Sequence, residues 1–260
     1  MVERRASAYV VAHAGGLGGR TAAAALLCDR YGARDVRRQR RVAPAAADSV
    51  RAAAGSMTMK TTLYQARSGP KLRELLSKDD ATVYDLDSNA VDLVANAIEG
   101  APSGAVLVWM RHYGCVLCKQ LLASVQKEIE REAASLGYAL VAVGPGKPEQ
   151  AEQFKAKVEW KHKVLSDPLR TTYRALNFKK GMFNTFNLGG LKSMVSSFAQ
   201  GYTQDWTVIP TDPFALGGLL VVDADGTVIL NHIDDFAGDH PDMKLVKNAM
   251  REFASPNLVK

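Results

Sequence analysis

The chain has 260 residues, 47% hydrophobic and 23% charged, enough for one domain or two small ones around a substantial core. It has no apolar run of about 18 residues, which argues against a membrane-spanning helix, and its three cysteines are too few for a disulfide framework. The net charge of +6 is confined to one end: residues 1–59 hold ten Arg, no Lys and four acidic residues, whereas residues 60–260 hold 23 basic and 23 acidic residues.

The first 59 residues also contain 16 Ala, in runs at 22–25, 45–47 and 52–54. Arg- and Ala-rich, lysine-free, acid-poor composition reads as an organelle presequence or a disordered extension. A plastid destination (chloroplast) ranks ahead of the mitochondrion or the cytoplasm. The apolar stretch at 9–17 is broken by His13, Gly15 and Gly16, which weakens a secretory reading. A body of zero net charge offers no basic surface for nucleic acid. Residues 60–260 are expected to form the folded domain.

In chain order, Leu72, Leu75 and Leu76 share a helical face after Gly69-Pro70, and residues 81–86 read as a short strand. Ser88 is placed to cap a helix through Val91, Val94, Ala95 and Ile98, ended by Gly100, Pro102 and Gly104. Residues 105–110 are continuously apolar, the pattern of a central strand covered on both faces. After a loop at 111–114, Leu121, Leu122, Val125, Ile129 and Ala133 mark one long helix. A second buried strand follows at 138–143, then a helix carrying Phe154 and Val158. Strand, helix, strand, helix implies parallel crossovers. Residues 164–166 read as a short strand, and Asp167-Pro168 opens a helix through Tyr173 and Leu176.

Residues 177–216 are less regular, with Phe178, Met182, Phe183, Phe186 and Phe198 among Gly, Asn and Ser, and one helix near 188–198. The segments 218–222 and 227–233 flank the turn Asp223-Ala-Asp-Gly226 as an antiparallel hairpin, and Pro241 starts a last amphipathic helix through Leu245, Val246 and Met250. One α/β domain with a mixed sheet results.

The chemistry concentrates in Cys115-Val-Leu-Cys118. A Cys-x-x-Cys directly after a buried strand and opening a long helix brings both sulfurs to one turn. Unpaired N–H groups at a helix N-terminus favour negative charge, so the first cysteine is the one to ionise. Cys115 is read as the nucleophile and Cys118 as its resolving partner, with Arg111 and His112 adding positive charge and Lys119 a weaker contribution. Arg170 is a lesser candidate for stabilising the thiolate or a leaving alkoxide. Two other readings stay open. A structural zinc would need further ligands from Cys28, His112, His162, His232 or His240, none at paired spacing. Two inert buried cysteines are the other. Gly15-Gly-Leu-Gly-Gly19 lacks the dinucleotide pattern, and the chain has neither a phosphate-loop lysine nor a serine elbow.

Through Val108-Trp-Met-Arg-His-Tyr-Gly-Cys-Val-Leu-Cys-Lys119, residues 141–144, Asp167-Pro168-x-Arg170, Tyr173-x-x-Leu176 and Gly217-Gly-Leu-Leu-Val-Val-Asp223, the chain resembles the peroxiredoxin-like AhpC/TSA antioxidant family over roughly residues 80–253. The resemblance implies a thioredoxin-like α/β fold, a central mixed sheet flanked by helices. In that fold the sheet is centred on the strand before Cys115 and has the hairpin at its edge. It also implies a thiol-dependent oxidoreductase with Cys115 as nucleophile and Cys118 as its partner; Arg111 and His112 join the site by position alone, and the chemistry requires no metal or organic cofactor. Substrates would be hydroperoxides or disulfides, and the reductant a thioredoxin, a glutaredoxin or glutathione. Two features depart from the relatives. The Pro-x-x-x-Thr/Ser-x-x-Cys loop of typical peroxiredoxins is replaced by Arg111-His-Tyr-Gly114. Gly217-Gly218 stand where thioredoxins carry a cis-proline, and leave room for a substrate backbone to approach. Protein thiol–disulfide exchange, and a non-catalytic binding module using the Phe-rich segment 178–198, are the alternatives.

Overall fold

In the computed structural model, the described residues are 61–64, 67–181, 188–205, 208 and 212–255. They belong to one compact unit, Thr58–Lys260. The leader, Cys28, Met182, Phe183 and Phe186 lie outside the described residues.

Eight strands form one sheet: β1 Thr61–Leu63, β2 Thr82–Tyr84, β3 Ala90–Asp92, β4 Gly104–Trp109, β5 Tyr138–Gly144, β6 Lys163–Ser166, β7 Gly218–Asp223 and β8 Val228–Ile233. Their spatial order is β1-β8-β7-β4-β5-β6-β2-β3. β4 runs parallel to β5, and β5 to β6, while β7 is antiparallel to β4 and to β8. The helices are α1 Leu72–Leu75, α2 Leu93–Ile98, α3 Val116–Leu136, α4 Pro148–Lys157, α5 Thr171–Ala175, α6 Leu188–Ala199 and α7 Met243–Phe253. This is the thioredoxin-like α/β fold, a central mixed sheet flanked by helices.

The alternation of β4 sorts the core. Val106, Val108 and Met110 pack with Leu121, Leu122, Val125 and Ile129 of α3, Phe154 of α4 and Val246 and Met250 of α7. Ala105, Leu107 and Trp109 face the other side, against Leu72 of α1, Leu93 and Ala97 of α2 and Tyr173 of α5. All six β4 residues are buried, which is why the strand reads as an unbroken apolar run instead of an alternating one. Gly137 closes α3 in the left-handed conformation (φ 75°), where a glycine carries no Cβ penalty.

Several expected elements differ. Ala90–Asp92 form a strand pairing with β2, so the helix starts at Leu93, and its cap is Asp92, whose side chain accepts from the Ala95 amide at 2.9 Å. Ser88 instead sits in the turn between the two strands, with φ 65°. Pro241 does not begin the last helix; Asp242 caps it, accepting from Lys244 N at 2.9 Å. Asp167 does organise α5, its two oxygens accepting from the amides of Thr171 (3.0 Å) and Thr172 (2.9 Å). The β7–β8 hairpin is not the sheet edge, because β1 pairs along β8 with Thr61 opposite His232.

Candidate functional site

β4 delivers the chain to the carboxyl end of the sheet, where the Met110 amide makes one more bond to the Val143 carbonyl (2.8 Å) before the loop begins. The loop closes through Cys115 N to the His112 carbonyl (3.2 Å), which places Cys115 at the N-cap of α3 and Cys118 in its first turn. Both cysteines are free thiols and both are buried, 2% and 4% exposed. The Cys115 side chain caps no amide. That duty falls on Gln204, whose Oε1 accepts from Val116 N at 3.1 Å, leaving the Cys115 sulfur available at the positive end of the helix.

Polar groups around the two sulfurs separate their roles. The Arg111 amide donates to Cys118 Sγ at 3.3 Å, and Arg111 Nη1 points at Cys115 Sγ at 3.7 Å. Arg111 is fixed by its other nitrogens: Nε donates to the Ala215 carbonyl (3.1 Å) and Nη2 to that of Pro213 (2.8 Å). The Cys115 thiol is held well below its ordinary value, first by a hydrogen bond from Cys118 and then by the charges of Arg111 and His112, against the opposing effect of burial. Cys118 is pushed well up, because it gives its proton to that bond and is buried beside the Cys115 charge. The two thiols are thus driven apart, Cys115 toward the thiolate and Cys118 toward the protonated donor.

His112 is buried, and burial lowers its pKa; the field of Cys115 opposes this, and those of Arg111 and Arg170 reinforce it. Lys119 is directed elsewhere, its Nζ donating to the Thr203 carbonyl at 2.9 Å. Arg170, whose separation in sequence hid its place, reaches the site: Nη2 donates to the Arg111 carbonyl at 3.2 Å. Tyr173 supports the same corner, its hydroxyl donating to the Met110 carbonyl at 2.6 Å. Cys115, Cys118, Arg111 and His112 are thus brought together, while Lys119 is not.

Sequence reasoning missed Gln204 and the carbonyls of Pro213 and Ala215. Carbonyls carry no residue signature, and the only pointer was the length of the excursion 177–216. The glycine pair also has a different cause. A Cβ on Gly217 would lie 2.1 Å from the Trp109 carbonyl oxygen, and one on Gly218 would lie 2.5 Å from that of His232. The close approach is by the protein's own strands, not a substrate backbone. Of the Phe-rich excursion, Phe178 packs edge-on to Trp109 and Tyr173, with centroids 5.5 and 5.6 Å away, while Phe198 is 45% exposed. Among the described residues no three His, Cys, Asp or Glu side chains converge as a metal site, and no helix is long and apolar enough to cross a membrane.

Residues 122–235 match the family model described as AhpC/TSA antioxidant enzyme, a stretch that begins four residues after Cys118. The thioredoxin-like protein AAED1, chloroplastic, of Arabidopsis thaliana is 33% identical over 153 residues, 56% of this chain and 61% of that protein. The chain therefore spans under two thirds of that relative's length. A prostamide/prostaglandin F synthase of Danio rerio is 28% identical over 153 residues, 56% of this chain and 73% of that one. The solved structure of peroxidoxin BcpB from Mycobacterium tuberculosis superposes with a TM-score of 0.48 at 13% identity, covering 67% of this chain and 93% of that one.

Proposed function

We propose that this chain, a peroxiredoxin/AhpC-like protein of thioredoxin fold, is a thiol-dependent reductase of hydroperoxides that works through Cys115 and Cys118. One observation carries the reading: the two buried sulfurs are unequal, Cys115 held down by its neighbours and Cys118 held up as the proton donor to it. A nucleophile and a resolving thiol need that inequality.

The Cys115 thiolate attacks the terminal oxygen of the hydroperoxide. An S–O bond forms, the O–O bond breaks, and the electron pair leaves on the alkoxide, which takes up a proton to become the alcohol. Arg111 Nη1, 3.7 Å from the attacking sulfur, supplies positive charge where the leaving oxygen develops its own. The sulfenic acid then condenses with the Cys118 thiol, forming the disulfide and releasing water. Two thiols of a reductant, a thioredoxin, a glutaredoxin or glutathione, restore the pair and become a disulfide. The burial of both sulfurs favours a small electrophile over a protein disulfide, whose exchange requires a bulky chain in line with Cys115. His112 occupies the place three residues before the nucleophile where typical peroxiredoxins carry Thr or Ser.

Residues 1–59 act, in this reading, as a plastid presequence ahead of the domain 60–260. Their arginine and alanine content supports it, as does the chloroplastic designation of the Arabidopsis relative.

Intact mass spectrometry of the reduced full-length chain with one equivalent of hydroperoxide tests the chemistry, with Cys28→Ser as background. The expected result is loss of two hydrogens when both active-site cysteines are present, and gain of one oxygen at Cys115 when Cys118 is replaced by Ser. No mass change in either protein rejects peroxide reduction.

A further inference from the structure

Two guanidinium groups, not one, reach the loop before Cys115, and they are used differently. Every nitrogen of Arg111 has a partner: two hold carbonyls and the third faces the Cys115 sulfur. Arg170 anchors itself through one nitrogen only. Its Nη2 donates to the carbonyls of Arg111 and Asp212, each at 3.2 Å, and its guanidinium carbon lies 5.3 Å from the centre of the Tyr173 ring. Its Nε and Nη1 are buried with no hydrogen-bond partner among the described residues. The Nδ1 of His112, whose ring feels the Arg170 charge, is buried and unpartnered as well.

The backbone adds a further sign. Arg170 sits at φ 54°, ψ 37°, the left-handed region that a long L side chain rarely adopts. Strain of this kind persists where the surroundings fix it, and is found at ligand clamps. Here it turns the side chain from the start of α5 toward the Arg111 carbonyl.

The charges do not balance within the protein. Neither Arg111 nor Arg170 forms an ion pair with a carboxylate among the described residues. The nearby acids are otherwise engaged. Asp167 is spent on the amides and hydroxyls of Thr171 and Thr172, and Asp212 turns Oδ1 to the Phe214 amide. Arg111 faces the thiolate, whereas Arg170 faces the carbonyls of Arg111 and Asp212. The Arg170 side chain is partly buried, and its two covered N–H donors, Nε and Nη1, are left unfilled, which is unfavourable unless an anion completes the site.

We infer that Arg170, with His112, forms a second anion site beside the reactive thiolate, and that the electrophile it admits is a hydroperoxide carrying a carboxylate. This inference rests on the peroxide reading for its substrate, but the anion site stands apart from it. Arg111 serves the sulfur and the oxygen that leaves during reaction; Arg170 serves a charge the substrate brings with it. Arg170 is a binding residue in this scheme, and no bond to it forms or breaks.

Two alkylating reagents of similar size and opposite charge character read the site without any peroxide. Rates at Cys115 are measured by peptide mass spectrometry on the full chain with iodoacetate, which is anionic, and with iodoacetamide, which is neutral. Their ratio cancels any change in thiolate population. Replacing Arg170→Gln is expected to lower the iodoacetate-to-iodoacetamide ratio about tenfold, as loss of one charge-assisted contact does. Arg170→Lys should restore most of it. Arg174→Gln, which removes a charge whose Nη1 serves only the Leu169 carbonyl, should leave it unchanged. Thermal unfolding of each variant controls for folding. A ratio in Arg170→Gln equal to that of the parent overturns the anion site.

The second arm compares a hydroperoxy fatty acid with its methyl ester. The acid should show the higher kcat/KM, and Arg170→Gln should erase the preference. Equal use of both by the parent protein overturns the substrate assignment. If neither oxidises Cys115, the peroxide reading fails, and the alkylation ratio still decides the anion site by itself.

Discussion

Removing the Cys118 thiol should raise the pKa of Cys115 more than any other single change at the site. The hydrogen bond from Cys118 is the largest of the effects holding Cys115 down, ahead of the charges of Arg111 and His112. A hydrogen bond to a charged acceptor contributes about 1.5–3 kcal/mol. Cys118→Ala should therefore move the Cys115 pKa upward, by loss of a contribution of that order. Burial, which opposes ionisation, stays as it is and leaves the thiolate more dependent on Arg111. Cys118→Ser keeps an O–H donor in the same place and should move the value by less than half as much.

The assay is the pH dependence of iodoacetamide alkylation at Cys115, followed by peptide mass spectrometry so that Cys28 does not interfere. Because the thiolate is the reactive form, the rate rises as pH increases through the pKa and then levels off. The midpoint should lie well below about 8.5 in the parent protein and climb in the order Cys118→Ser, Cys118→Ala. The same depression has a sign in stability. Ionised Cys115 contributes stability that is fully present above the ordinary thiol pKa and is lost as pH falls through the depressed one. An unchanged midpoint in Cys118→Ala would refute the reasoning and transfer the stabilisation to Arg111 and the helix terminus.

Three further outcomes follow from the fold. Asp92→Ala should destabilise the protein by about 0.5–2 kcal/mol in denaturant unfolding through loss of the α2 cap and of the ion pair with Arg73, whereas Ser88→Ala, at the position expected from sequence to cap, should leave stability unchanged. Gly217→Ala places a methyl 2.1 Å from the Trp109 carbonyl oxygen and should lower stability by about 1–3 kcal/mol, read as a fall in Tm. Leu107→Ala, from a fully buried β4 side chain, should cost about 2–5 kcal/mol in the same denaturant measurement, with cysteine ionisation unchanged because Leu107 faces away from α3.

The elements legible from sequence were those whose pattern is long or chemically marked. β4 announced itself by an unbroken apolar run, α3 by the apolar spacing from Leu121 to Ala133 within its 21 residues, and the β7–β8 hairpin by its Asp-Gly turn. Ala90–Asp92 escaped because three residues are too few to carry a period, and Val91 fits a helical face as well as a strand. Thr61–Leu63 escaped for the same reason, although its pairing removes β8 from the edge. At the site, the cysteines, Arg111 and His112 were readable because they are neighbours in sequence. Gln204 and the carbonyls at 213 and 215 were not, and Arg170 was readable only as a lesser candidate, because their closeness to the site is created by crossovers and loops.

The geometry also fixes what the surrounding cations have to accomplish. Stabilising a thiolate increases its population but weakens its nucleophilicity, so a depressed pKa alone gives no fast reaction once the thiolate fraction saturates. Any acceleration beyond that point has to come from charge aimed at the leaving oxygen or at the bound substrate instead of at the sulfur. Arg111 divides its attention, with one nitrogen on Cys115 and two on carbonyls that hold it still. In the proposed peroxide reaction that rigidity would pre-organise a positive charge beside the scissile O–O bond without further rearrangement. Cys118 is bound by the opposite requirement: its proton stabilises Cys115 before the reaction and must leave for it to close the disulfide afterwards. The bond that depresses Cys115 is lost as soon as the sulfur is oxidised, and with it one of the reasons Cys118 is held up. In the proposed reaction, oxidation of the first cysteine would thus prepare the second to react, through the same pair of atoms.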